Sequence, residues 1–200
     1  MIPYQRARGF SLIEGIIAIV VMGIAMVTLT SFLFPQVERS AIPQYQARAA
    51  AIGHAMLNEI LARKFDSRSD PNGDSLIRCG EKLPVIDTFI ECTAPELLGA
   101  ESGETDPKGS LNTALADDVD DFKGCWGTRS QCKGKVWRGS LSQFVPGDEY
   151  ANIWAEVDVF YDEGFVGTPH EQVTAHKRIT VSIKTTRYGE YVFIAYRSNY

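Results

Sequence analysis

Twenty consecutive positions, Gly15 to Phe34, carry no charged side chain. About twenty apolar residues in α-helical form span the hydrocarbon core of a bilayer. A helix that is apolar all round must be covered by lipid or by other protein. The rest of the chain is ordinary: 22% of all residues are charged and 44% hydrophobic, which fits a globular part outside that segment. Arg6 and Arg8 precede the run and place the N-terminus on the cytoplasmic side. A secretory signal peptide has a shorter apolar stretch followed closely by a small-x-small cleavage site. Here the nearest such triplet, Ala47-Arg48-Ala49, lies well past the run. A plain single-pass anchor accounts for the length but not for Glu14, a carboxylate at the very start of the apolar helix. An unpaired carboxylate in lipid costs a few kcal/mol, so Glu14 is a functional candidate.

The segment Gly9-Phe10-Ser11-Leu12-Ile13-Glu14, with its short basic leader and long apolar run, resembles the prepilin cleavage motif of type IV pilins and type II secretion pseudopilins. The resemblance implies cleavage between Gly9 and Phe10 by a membrane-embedded prepilin peptidase, and N-methylation of Phe10. It also implies that the Glu14 carboxylate pairs with the Phe10 amine of a neighbouring subunit. The physics agrees, because opposite charges in a dry core attract strongly and each is costly alone. Apolar helices sliding in lipid have no other reason to choose one stagger. A local role is also open to Glu14, as a favourable charge at its own helix N-terminus.

Four segments organise the chain: a leader over 1–9, a transmembrane and assembly helix over 10–34, an amphipathic continuation over 35–65, and an extracytoplasmic head over 66–200. The helix is expected from Phe10 to about Phe65, bent or locally unwound at Gly23, Pro35 and Pro43. Ala49, Ile52, Met56 and Ile60 recur at three- and four-residue steps, which predicts one buried face packed on a sheet. Glu59 and Arg63 sit at i,i+4 on the wetter side, and His54 reads as a surface or interface histidine. Residues 66–133 are loop-like, with turn chemistry at 66–74 and 101–109. Residues 134–197 read as antiparallel sheet. The clearest strand is His176 to Thr186, with Ile179, Val181 and Ile183 on one face. Ile153, Ala155, Val157 and Val159 alternate likewise, and 135–145 and 191–197 are the expected partners. The expected class is α+β, a long helix packed on an antiparallel sheet, as in pilins.

Cys79, Cys92, Cys125 and Cys132 all follow the apolar run. An even count outside the cytoplasm reads as two disulfides. Pairing Cys79 with Cys92 and Cys125 with Cys132 closes two short local loops. A zinc site is the rival reading, weakened by the lack of a C-x-x-C pair and of a nearby H-x3-H. Asp117, Asp118, Asp120 and Asp121 form an acidic cluster, expected as a solvated loop. Calcium binding is the alternative there, since hard cations favour carboxylate oxygens, and no other cofactor is expected. The net charge is -5, and -7 once Arg6 and Arg8 leave with the leader, so nucleic acid is not an expected partner.

No enzyme is expected: the three histidines are scattered, and neither a G-x-S-x-G nor an H-E-x-x-H occurs. Trp126, between Cys125 and Gly127, is the candidate recognition residue. Finally, Ser31 to Ser40, Ala47 to Ala51, Asn58 to Ala62 and Asp118 to Phe122 resemble the MshD minor pilins of the mannose-sensitive haemagglutinin (MSHA) pilus. That resemblance implies a low-abundance subunit that initiates, caps or decorates an adhesive fibre. Its partners would be other major and minor pilins, the peptidase/N-methyltransferase and the inner-membrane assembly machinery. The alternatives are a type II secretion pseudopilin, or an anchored sugar- or metal-binding module that never polymerises.

Overall fold

The computed structural model describes residues 11–69, 78–82, 88–147 and 150–199. Helix α1 runs unbroken from Leu12 to Leu61. The local unwinding expected at Gly23, Pro35 and Pro43 does not occur. A proline removes one amide donor, but the rungs on either side carry the ladder through. In the apolar half the few hydroxyls turn back on their own helix. Thr28 Oγ1 donates to the carbonyls of Ile24 (3.0 Å) and Ala25 (2.8 Å), and Thr30 Oγ1 donates to that of Met26 (2.6 Å). Their polarity is thus satisfied within the helix, and the outer surface stays apolar. The chain divides into two compact units, Met1–Gln44 and Tyr45–Tyr200, and α1 contributes to both.

The helix stops at Leu61, earlier than the sequence expectation. Lys64 leaves it to pair in parallel with Asp118, its N–H donating to the Asp117 carbonyl and its carbonyl accepting from Val119. A short stretch near residue 118, read from the sequence as loop, therefore ends the helix.

Five strands form one sheet in the order β2-β1-β3-β4-β5: β1 (Gly124–Trp126), β2 (Trp137–Gly139), β3 (Ile153–Tyr161), β4 (His176–Thr185) and β5 (Glu190–Ser198). The β1–β3, β3–β4 and β4–β5 pairs are antiparallel. The short β1–β2 pair is parallel and has a bulge between Cys125 and Trp126. The α+β, pilin-like arrangement of a long apolar helix followed by a mostly antiparallel sheet is therefore the observed fold. Two details differ from the sequence reading. Strand β1 lies in the stretch read as loop. The strand expected over 135–145 is only three residues long and gives way to a 3-10 turn at Leu141–Gln143. Strands this short leave too little alternation to read.

One core lies between α1 and the sheet. Ala49, Ile52, Met56 and Ile60 supply the helix side; Ile153, Ala155, Val157, Val159, Ile179, Val181 and Ile183 supply the sheet side. Gly53 lets the edge strand approach: a Cβ there would lie 2.5 Å from the Phe193 ring. His54, one residue on, is exposed and meets Phe193 edge-on at 5.5 Å. A second, smaller core joins Phe65, Cys79 and Tyr161. The bonds Cys79–Cys92 and Cys125–Cys132 close two local loops, and no described cysteine is free.

Candidate functional sites

The first site is the apolar surface itself. The 23 residues Leu12–Phe34 are long and apolar enough to cross a membrane, and none of that span is buried within the chain. Glu14 stands in the first turn, where the amides of Glu14 and Gly15 donate to the Ser11 carbonyl at 3.0 and 3.2 Å. The free amide ends of that turn favour an acidic side chain nearby. Among the described residues no ion pair involves Glu14. The cleavage and methylation positions, Gly9 and Phe10, lie outside the described residues.

The second site is charged and internal. Strand β4 alternates in burial, and Lys177 falls on the inward phase with Ile179, Val181 and Ile183. Its ammonium is fully buried. It donates to Asp120 Oδ1 at 2.5 Å and Asp66 Oδ2 at 3.4 Å, both carboxylates equally buried. The Phe65 and Tyr161 rings wall it at 4.8 and 5.3 Å. Burial alone would lower the lysine pKa, but Asp120, Asp118 and Asp66 outweigh it and hold the group raised and charged. The same carboxylates tie down the surrounding loops. Asp66 accepts from the amides of Arg68 and Thr93, Asp120 from Gly99, and Asp118 from Ser67 and its neighbour Asp120. Burial first, and Asp120 second, push Asp118 far above the usual carboxylate range.

This overturns the expectation of a solvated acidic loop at 117–121. Asp118, Asp120 and Asp121 have no exposed surface, because Lys177 and the loop amides draw them inward. It also removes Asp120 from the candidate metal ligands, since one oxygen serves Lys177 and the other the Gly99 amide. The sequence held a signal for the lysine: it shares parity with Ile179, Val181 and Ile183. Nothing local marked Asp66, which lies 111 residues before Lys177 in the chain.

Asp121 is different. Its Oδ2 accepts from the amides of Asp117 (2.8 Å) and Asp118 (3.1 Å), but its Oδ1 is buried with no partner. Two groups of carboxylate oxygens share it, Glu101–Asp118–Asp121 and Glu104–Asp117–Asp121, each with its atoms within 4.8 Å of one another. Glu101 and Glu104 were not singled out in the sequence, and their loop meets 117–121 only in the fold. A third group, Asp66 with Cys79 and Cys92, offers no thiolate, because its cysteines are bonded to each other.

Trp126 is not a recognition residue. It is 0% exposed, with its indole N–H donated to the Phe122 carbonyl at 2.9 Å and its ring packed on Phe122 and Phe144. Strand β1 turns it into the core. Trp137 is half-buried; its N–H goes to the Gly127 carbonyl and the Arg129 guanidinium lies 4.0 Å above its ring.

Residues 4–30 match the prokaryotic N-terminal methylation motif, the prepilin signal of type IV pilin-like proteins. No curated protein and no solved structure matches the chain at a significant level. The motif sits on the first candidate site. It implies membrane anchoring, processing by a prepilin peptidase and assembly with pilin subunits, a structural role.

Proposed function

We propose that the chain is a prepilin-type fibre subunit, cut after Gly9 and N-methylated on Phe10, whose Glu14 pairs with the Phe10 amine of the adjoining protomer. One observation carries this reading: the methylation motif coincides with a span that no described residue buries. That surface needs lipid before assembly and neighbouring helices afterwards. Glu14 sets the register between them, because a carboxylate moved into a dry bundle is stable only where a cation meets it. The subunit waits in the inner membrane with its N-terminus cytoplasmic and its head outside. It then moves with the assembling fibre into the periplasm and beyond the cell. Two bonded cysteine pairs fit that oxidising destination.

Within that class we favour a minor pilin of an MSHA-type adhesive pilus, in contact with the other pilins, the peptidase/N-methyltransferase and the inner-membrane assembly machinery. The support is the set of sequence segments noted above.

Mass spectrometry of the protein from its native host tests the processing. A chain beginning at a methylated Phe10 is the expected result; an intact Met1, or an unmethylated cut elsewhere, overturns the proposal. Glu14→Ala tests assembly: it is expected to remove the subunit from sheared fibres while leaving it in the membrane. Loss of attachment in a deletion strain whose secretion is intact supports the adhesive-fibre reading. Loss of secretion instead marks a secretion pseudopilus.

A further inference from the structure

We propose that Glu101, Glu104, Asp117 and Asp121 form a calcium-binding site that pins the 101–104 loop to the 117–121 segment. The inference concerns the head alone and does not depend on how the chain assembles. Three carboxylate oxygens in this cluster, Glu101 Oε2, Asp117 Oδ1 and Asp121 Oδ1, are shut off from solvent and receive no donor from outside the cluster. Asp121 is the centre: it belongs to both oxygen groups and is itself fully buried. A buried anionic oxygen without a partner is costly, and these three share one neighbourhood.

The remaining oxygens are placed as a loop site requires. Asp121 Oδ2 is fixed by two backbone amides, which aims its other oxygen. Lys64 holds Asp117 Oδ2 at 2.8 Å, leaving Oδ1 for a ligand. Glu104 Oε2 accepts from the Glu101 amide at 2.8 Å, which closes the turn and brings both glutamates to the same side. Other positive charge is nearby. Arg138 feels Asp121 and Glu104, yet its Nε–H goes to the Lys123 carbonyl. Lys177 feels Asp118 but donates to Asp120 and Asp66. Crowding of like charge shows in the acids themselves. Burial first, with Glu101 adding to it, pushes Asp121 up to about 6, against the lowering backbone hydrogen bond from Asp118. Glu101 and Glu104 are raised chiefly by burial.

The donors are all oxygen and come from two loops. That suits calcium, which takes six to eight oxygens in loose geometry, better than magnesium, which demands a tight octahedron. Zinc would want nitrogen or sulfur. The competing arrangement is protons shared among the carboxyls, which would fill the same space without any metal response.

The test uses the full chain in detergent micelles, freed of metal with EDTA and titrated calorimetrically with calcium chloride near neutral pH. The expected result is saturable binding of one ion, with a dissociation constant of about 0.1–1 mM, the range of extracellular calcium modules. Calcium at roughly 10 mM should raise the unfolding midpoint of the head by about 3–10 °C. Asp121→Asn keeps an oxygen for the two amides while removing the charge, and Glu104→Gln changes a residue nearer the surface. Each should weaken binding at least tenfold. If Asp121→Asn fails to fold, Glu104→Gln with Glu101→Gln decides. A folded protein that gives no heat and no midpoint shift, or variants that bind as well as the parent, overturn the site in favour of shared protons.

Discussion

The two halves of α1 carry the same kinds of apolar side chain, and those side chains meet opposite fates. Met22 is 62% exposed and Met56 is 0% exposed. Nothing lies within 4 Å of a Cβ built on Gly23, whereas one on Gly53 collides with Phe193. The two outlying charges differ in the same way. Lys177 is buried with carboxylates from its own chain, while Glu14 has no ionic partner among the described residues. The C-terminal half of the helix is completed by intramolecular contacts. The N-terminal half finds no such cover among the described residues, and in the proposed reading lipid or other subunits supply it.

Paired substitutions test that contrast, read as unfolding of the head by near-UV circular dichroism of the full chain in detergent. The largest effect is expected at the charges. Lys177→Met strands two buried carboxylates and should cost about 3–5 kcal/mol, whereas Glu14→Gln should leave the unfolding curve unchanged within ~0.5 kcal/mol. Equal losses at both positions would mean that Glu14 also serves the head. Next comes matched side-chain deletion. Met56→Ala should cost about 2–5 kcal/mol by opening a cavity, and Met22→Ala less than ~0.5 kcal/mol. The smallest and sharpest pair is glycine. Gly53→Ala should cost about 1–3 kcal/mol by overpacking against Phe193, although alanine is the better helix former by up to ~1 kcal/mol. Gly23→Ala has no such clash and should not destabilise the head. Recovery of Gly53→Ala stability by Phe193→Leu would locate the strain at that contact; no recovery would place it elsewhere.

Much of this was legible in advance, for identifiable reasons. Long periodic elements announce themselves: the uncharged run over 15–34, the helix face through Ile52, Met56 and Ile60, and the alternation of β3 and β4. Short ones do not. Strands β1 and β2 are three residues each, and they pair in parallel across a bulge. Trp126 looked like an exposed anchor in a disulfide loop, but three residues of strand carry too little pattern to give its direction. The acidic cluster misled for a related reason. Composition predicts solvent for four aspartates in five positions, unless a buried cation and a set of loop amides stand ready. Those come from Lys177, Gly99 and Ser67, which no local window joins.

The sequence by itself determined the assembly end of the protein. Cleavage motif, apolar length and one carboxylate are contiguous features, read by a peptidase and a bilayer that respond to local chemistry. Only the tertiary structure decided the fate of the head's charges. Whether a carboxylate is solvated, paired with Lys177 or left facing Glu101 and Glu104 depends on which distant amides and cations reach it. In a low-dielectric interior that choice outweighs any preference the residue brings of its own.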